Sequence, residues 1–474
     1  MVPGMLHSMR QERKRMWRAY LNAARNGIPH LSVPMKVAGK AGVAVVMAIF
    51  SLVFIDRVKE WWMGPASYKI YIVGNFGESQ DSSNQIRKSF MKKGQPGVRI
   101  GGVAVEIVAR NDQRDPEIAR KVSEELALAG DTLMVIGHMY STQTKAALPN
   151  YLLKAQPPIP VMLTTETNPE ILPSLPEQEY DRPGDMFLPV FRLWPTDDTQ
   201  ARAAAEFMVG RPGVDSCWVV EDSANPVYAR YLAVQFIREM QSRGKKVLLW
   251  TPNLSASAIE SFRTLKADCV FFAGEWSNAL MLVQQIRRIS RTLGPGAEPT
   301  ILLSDWAAEK ELVEIGGQAV ERVFLVHPLQ KDLGDYALTG QDARSVVDDL
   351  LDESARRFAS IATKNGGLSY RLRSLMRMRR IGDARRVLAQ VMHCTVHRGY
   401  EFDLEGGRRA RFTYKTTNEL ASFHIWTVQG EKFVPFDAPQ PAPIRAARAK
   451  ASNLALRPAS TAPVRASVPR PPPV

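Results

Sequence analysis

Two clusters of hydroxyl side chains stand where apolar runs stop. The run 133–136 ends at Gly137 and is followed by Ser141 and Thr142, after which Ala146, Leu148, Leu152 and Leu153 recur at helical spacing. The run 159–163 ends in Thr164, Thr165 and Thr167, ahead of the turn dipeptide Asn168-Pro169. This is a strand, a glycine turn, a helix and a second strand. In such a β-α-β unit the carboxyl ends of the strands and the amino end of the helix face one crevice. Ser141 and Thr167 are therefore candidates to meet there, and the unpaired amides of the helix start favour an anion by roughly 0.3–1 kcal/mol. A carboxylate fits that chemistry. Each residue also has a plainer reading: Ser141 as a helix cap, Thr167 as the closure of a turn.

The elements that would position these groups alternate along the chain. Strand patterns at 68–73, 103–108, 187–194, 216–220, 246–250, 269–273, 300–304 and 323–326 are separated by helical stretches of roughly ten to fifteen residues, which argues for α/β architecture with parallel sheets. Residues 336–360 and 375–394 read as helices. Runs at 400–404, 411–414, 423–428 and 432–435 read as strands joined by glycine turns. Residues 172–187 hold three prolines and no periodicity, and read as a loop.

The 474 residues carry a net charge of +14, but the excess is local. Residues 1–56 hold +6 and residues 438–474 another +6, leaving the folded middle nearly neutral. A basic face tracking nucleic acid is not indicated. The run 371–386 has seven arginines, which fit a solvated helix face or an anionic partner surface. Cys217, Cys269 and Cys394 have no metal-ligand spacing and imply no disulfide framework. Motifs for dinucleotide or nucleotide phosphates, for a nucleophile elbow and for zinc are absent, so no catalytic residue, cofactor or metal is assigned. His393 and His397 share helical spacing and read as a surface or packing pair.

Residues 37–55 are apolar apart from Lys40, long enough to approach a hydrocarbon thickness of about 30 Å, and flanked by Trp61-Trp62. Charged residues follow at once, with no small-residue cleavage site, so an uncleaved transmembrane signal anchor is predicted. The basic flank 1–36 then stays cytoplasmic and everything after the anchor is extracytoplasmic. Residues 438–474, rich in Pro, Ala and Arg, read as a disordered tail.

Gly137-His138 with Ser141, then Thr167-Asn168-Pro169-Glu170, then Phe191-Arg192 with Asp197 and Gln200, occur in an order and spacing that resembles the type I periplasmic binding proteins, in particular the branched-chain amino-acid receptors. The resemblance implies two Rossmann-like lobes joined by a three-stranded hinge: residues 67–193 with 329–398, and residues 194–328 with 399–437. It implies an amino-acid ligand between the lobes, its carboxylate on Ser141 and Thr167, with Thr142 and Thr165 beside them. Asp305 falls on the family's acidic position for the ammonium, and is also placed to cap the helix from Ala307. Glu275 and Trp276 lie on the same rim, where they could add a second acid and an aromatic wall; for Glu275 a solvated loop residue is the favoured reading. The chain departs from the family at Glu166, which would bring negative charge towards the carboxylate, and at Ala224-Asn225-Pro226-Val227, where Asn225 stands in place of a Tyr-Gly pair. The implied function is a membrane-tethered, non-enzymatic solute receptor for a small polar ligand such as an amino acid or related amide, working with an ABC-type permease. The alternative is an extracytoplasmic sensor or interaction domain acting through a protein partner.

Overall fold

The computed structural model describes residues 65–436 apart from 78–81, 173–187, 253, 295, 330–332, 334–335, 365–380 and 414–416. The anchor and tail expectations for 1–36, 37–55 and 438–474, and most of the loop 172–187, lie outside these residues. Among the described residues no helix is long and apolar enough to cross a membrane.

Two sheets carry the fold. The first has the order β2-β3-β1-β4-β5-β6, made of β1 (Ser67–Gly74), β2 (Arg99–Ile100), β3 (Val103–Asn111), β4 (Thr132–Gly137), β5 (Val161–Leu163) and β6 (Val190–Arg192), all parallel except β2. Its strands are apolar on both faces because both are covered. Tyr68, Ile70 and Ile72 of β1 join one core with α1 (Ser82–Lys92), α9 (Ala337–Lys364) and α10 (Ile381–Arg398). Tyr71 and Val73 point the other way, into a core with α2 (Pro116–Leu128) and α3 (Ser141–Pro149). Pro149 has no N–H to give, and α3 widens there into a π turn over Asn150–Lys154.

The second sheet repeats the plan in the order β15-β14-β11-β10-β9-β7-β8. Its parallel part is β7 (Ser216–Glu221), β8 (Lys246–Thr251), β9 (Cys269–Ala273), β10 (Thr300–Leu303) and β11 (Phe324–His327); the hairpin β14 (His424–Gln429) and β15 (Lys432–Pro435) adds antiparallel to β11. Trp218 and Val220 face α6 (Ala256–Leu265), α7 (Trp276–Leu293) and α8 (Lys310–Gly316), while Cys217 and Val219 face α4 (Asp197–Val209) and α5 (Pro226–Ser242). Each large side chain fully buried this way contributes about 1.5–3 kcal/mol.

Three segments join the lobes: the exit of β6, the exit of β11 and the approach to β14. Asn418 fastens the third to the first. Its amide N–H donates to Arg192 O and its Nδ2 to Leu193 O, both at 3.1 Å, and its Oδ1 accepts the Arg411 amide. Trp194 stacks on Tyr336 at 5.8 Å, tying the first crossing to the second.

Two boundaries differ from the sequence reading. Residues 399–437 do not all join the second lobe: β12 (Phe402–Asp403) and β13 (Arg409–Ala410) pack into the first core, where Phe402 and Phe412 lie against Phe191. Two-residue strands carry too little pattern to declare a partner. The helix read from Ala307 is a short turn, Asp305–Ala307, followed by α8. Of the arginine run, Arg385 is buried and donates from Nε to Thr132 O at 2.7 Å and from Nη2 to Ala129 O at 3.3 Å, binding α10 to the edge of β4. That arginine serves the first lobe from inside; residues 371–380 are not among those described.

Candidate functional site

The carboxyl ends of both sheets open onto one crevice. β4 stops at Gly137, whose φ of 109° and whose closeness to Val73 O, into which a Cβ would collide, exclude any other residue. The chain then turns through Met139, also at positive φ, into α3. Tyr140, not Ser141, is the residue flanking the helix, and it makes no side-chain cap. Ser141 is therefore the first helical residue, and its side chain faces the crevice.

A cavity of about 30 Å³ lies between the lobes, walled by Tyr140, Ser141 and Thr165 on one side and by Asn225, Tyr228, Asp305 and Trp306 on the other, with Trp194 and Tyr336 from the hinge. It has room for a water or two, well short of the roughly 300–1,000 Å³ of small-molecule sites. The lobes meet directly around it. Asn225 Oδ1 accepts Thr142 Oγ1 at 2.6 Å and the Thr142 amide at 3.2 Å; Asn168 Nδ2 donates to Val227 O at 2.5 Å. Arg114, from the loop after β3, pairs with Glu275 on the other lobe. Its guanidinium lies 4.9 Å from the ring centres of both Tyr140 and Trp306, one ring from each lobe.

Asp305 is buried at the end of β10 and does not cap a helix. Its Oδ1 accepts Gln200 Nε2 at 2.8 Å, the Trp306 amide at 3.0 Å and the Tyr228 hydroxyl. Burial outweighs these donors and lifts its pKa to about 6. At the end of β6, Arg192 is fully buried, donates to Asn168 O at 3.0 Å and has its pKa lowered to about 10 by burial. Asp197, also buried, is pushed well above the usual carboxylate range by desolvation.

The sequence-derived residues thus divide. Ser141, Thr165, Asn225 and Asp305 surround the cavity. Thr142 is spent on Asn225, and Glu275 on Arg114. Thr167 is 1% exposed and lies outside the cavity wall, with its carbonyl accepting the Asp197 amide; Thr165 takes the wall position instead. The reason is Glu166. Its carboxylate turns inward and accepts the amides of Met139, Thr164 and Thr165 and the Thr144 hydroxyl at 2.7–3.2 Å, which fixes the strand end and keeps its charge out of the crevice. Trp276 packs against the second-lobe core, so it forms no wall; the aromatic walls are Tyr140, Trp194, Tyr228, Trp306 and Tyr336.

Sequence reasoning missed Arg114 and most of these rings. Trp306 adjoins Asp305 and could have been read with it. Arg114 has no local signal beyond its place at the carboxyl end of a strand. His138 is bonded through Nδ1 to Asp112 at 2.9 Å and through Nε2 to the Tyr151 hydroxyl at 3.0 Å, all inside the first lobe. Among the described residues no group of three or more His, Cys, Asp or Glu could hold a metal ion. A larger space of about 280 Å³ is lined by the crossing residues Leu193, Trp194 and Leu329 together with Asp342, Arg408, Asn418 and His424. Arg408 Nη2 pairs there with Asp342 Oδ2 at 2.6 Å.

The model of the periplasmic binding protein family matches residues 74–356. A comparison with curated protein sequences finds no match. Among solved structures, a leucine-binding protein of Thermotoga maritima is 17% identical with a TM-score of 0.59, covering 78% of this chain and 97% of its own. A branched-chain amino-acid transporter substrate-binding protein of Streptococcus pneumoniae, in complex with isoleucine, is 16% identical with a TM-score of 0.53, covering 77% and 97%. An ABC-transporter solute-binding protein of Rhodopseudomonas palustris, in complex with 3,4-dihydroxybenzoic acid, is 13% identical with a TM-score of 0.57, covering 78% and 97%. At these identities the likeness establishes the fold.

Proposed function

The chain belongs to the periplasmic binding protein family, and from that premise we propose that it is a solute-binding receptor that closes its two lobes over a small carboxylic acid, either an amino acid or an aromatic acid, for an ABC-type importer. One observation carries this reading: Ser141 and Thr165 of one lobe and Asn225 and Asp305 of the other converge on a single space at the carboxyl ends of both sheets. Solute entry requires rotation at the hinge that parts Thr142 from Asn225 and Arg114 from Glu275, and rebinding of those pairs then stabilises the shut form around the solute. The solved neighbours bound to isoleucine and to dihydroxybenzoic acid support the breadth of the ligand class. The apolar run 37–55 and the basic stretch before it support a tether that leaves the lobes on the extracytoplasmic side.

The test is a thermal-shift screen of the full chain, in detergent, against amino acids and aromatic carboxylic acids. A true ligand at about 100 times its dissociation constant adds roughly 2.7 kcal/mol of stability, and Ser141→Ala should diminish that shift. A second reading, an interaction domain working through a protein partner, draws on the direct contacts that already seal the crevice. Absence of a shift with every acid, together with saturable binding of a purified envelope protein, would favour it.

A further inference from the structure

The space of about 280 Å³ at the hinge belongs to neither lobe alone. Trp194, Leu329 and Asn418 each bring a wall residue from one of the three crossings, Asp342 on α9 and Leu404 come from the first lobe, and His424 opens the second-lobe strand β14. Its volume approaches the roughly 300–1,000 Å³ of small-molecule sites, whereas the cleft in the same conformation has room for a water or two. Rotation about the crossings moves these walls relative to one another, so a molecule fitted among them favours the shut arrangement. Trp194 lines both spaces and puts them in contact through one ring.

The spare hydrogen-bonding capacity of this lining is mostly donor. Asp342, its single carboxylate, has both oxygens engaged, Oδ1 with the Glu405 amide at 3.2 Å and Oδ2 with Arg408 Nη2. Arg408 also gives Nε to Glu405 O at 3.3 Å, and Arg409 gives Nη1 to Glu401. Arg408 Nη1 and Arg409 Nε and Nη2 hold no acceptor among the described residues. A guanidinium can offer such donors to a second acceptor without releasing the first. Trp194, Leu329, Leu404 and Leu420 supply apolar surface beside them. We propose that the hinge space is a second ligand site, separate from the cleft, which takes a carboxylate on a compact apolar body and holds the lobes shut while it is filled.

Isothermal titration of the full chain, in detergent, with benzoate and with cyclohexanecarboxylate tests this. At least one should bind, and Arg408→Gln and Leu420→Trp should each weaken that binding by about tenfold or more. Leu420→Trp fills the space from a position that is 40% exposed, which keeps the fold intact. Ser141→Ala, on the cleft, should leave this binding unchanged. Hydrogen exchange gives the conformational readout: the Thr142 amide lies in the first turn of α3, where it has no partner within the helix, and is bonded to Asn225 across the lobes. Saturating anion should slow its exchange, and Leu420→Trp should abolish that response to the anion. Failure of both acids to bind overturns the proposal, as does binding that Ser141→Ala weakens and the hinge variants spare, or hinge binding that leaves Thr142 exchange unaltered. None of these outcomes depends on a cleft solute, so the receptor reading stands or falls separately.

Discussion

Asp305 makes the stability of the protein fall as pH rises over a defined window. An aspartate in the unfolded chain titrates near 3.8, and burial in the folded protein moves this one to about 6. Between those values the folded chain keeps a proton that the unfolded chain has released, so folding is favoured by acid there and the advantage is gone above the folded pKa. About two pH units at 1.36 kcal/mol each give an effect of about 3 kcal/mol. Asp305→Asn removes the titration while leaving a side-chain oxygen for Tyr228, Gln200 and the Trp306 amide. Urea denaturation of both proteins at pH 4, 5, 6 and 7 isolates Asp305 together with Asp197, whose charge it feels, because groups that do not interact with it, Asp342 included, cancel in the difference. Because the unfolded aspartate is already more than half ionised at pH 4, wild type minus variant should drop by about 2.5 kcal/mol from pH 4 to pH 7, most of it below pH 6. A flat difference would mean that Asp305 titrates normally. A rising one would mean that its three donors outweigh desolvation and hold the carboxylate ionised inside the crevice.

Asn225→Ala deletes the acceptor of two cross-cleft bonds from Thr142 and should bias the hinge towards the open form by roughly 1–2 kcal/mol; small-angle scattering should show a larger radius of gyration, and an unchanged radius would remove this pair from the closure contacts. Glu166→Ala leaves two buried amides, the half-buried Thr165 amide and a buried hydroxyl without their acceptor, a loss of at least about 3 kcal/mol, read as a lowered urea midpoint and faster hydrogen exchange at Met139 and Thr165. Gly137→Ala drives a Cβ into Val73 O at a φ of 109° and should destabilise by roughly 3–5 kcal/mol; a midpoint within error of wild type would show that β1 and β4 do not pack this closely.

Where the sequence spoke clearly, burial was two-sided and contacts were local. The run 133–136 reads as a strand because helices cover both faces of β4, and Ser141 reads as a crevice residue because strand, glycine turn and helix follow one another without a gap. The errors arise where one residue's orientation depends on a distant one. Thr165 and Thr167 are equivalent candidates until Glu166 gathers the surrounding amides and turns one hydroxyl to the cavity and the other inward. Trp276 and Trp306 each follow an acid at a strand end, yet the first starts α7 and joins the core while the second sits in a short turn beside Asp305. Arg114 finds its partners at Tyr140, Glu275 and Trp306, brought together only by the packing of two lobes. No window of sequence around it contains that information.

The kinds of contact within and between lobes decide how the molecule can work. Each lobe is held by its own pair of apolar cores, one on either face of its sheet, which opening of the hinge leaves largely intact. The contacts that close the crevice are mainly polar: Thr142 with Asn225, Asn168 with the Val227 carbonyl, Arg114 with Glu275. Apolar bridging is confined to a few side chains, notably Val227, which touches the first-lobe core, and Trp306, which touches both. Water can replace each polar pair at a net loss of about 0.5–1.5 kcal/mol, and a partly exposed ion pair contributes about as little. Open and shut forms of such a protein differ by only a few kcal/mol, whereas unfolding either lobe exposes a full core. A solute that touches both walls therefore needs to supply only a few kcal/mol to fix the shut form, and Asn225 and Glu275, which set the balance before it arrives, are where affinity can be tuned without altering the binding surface of the first lobe.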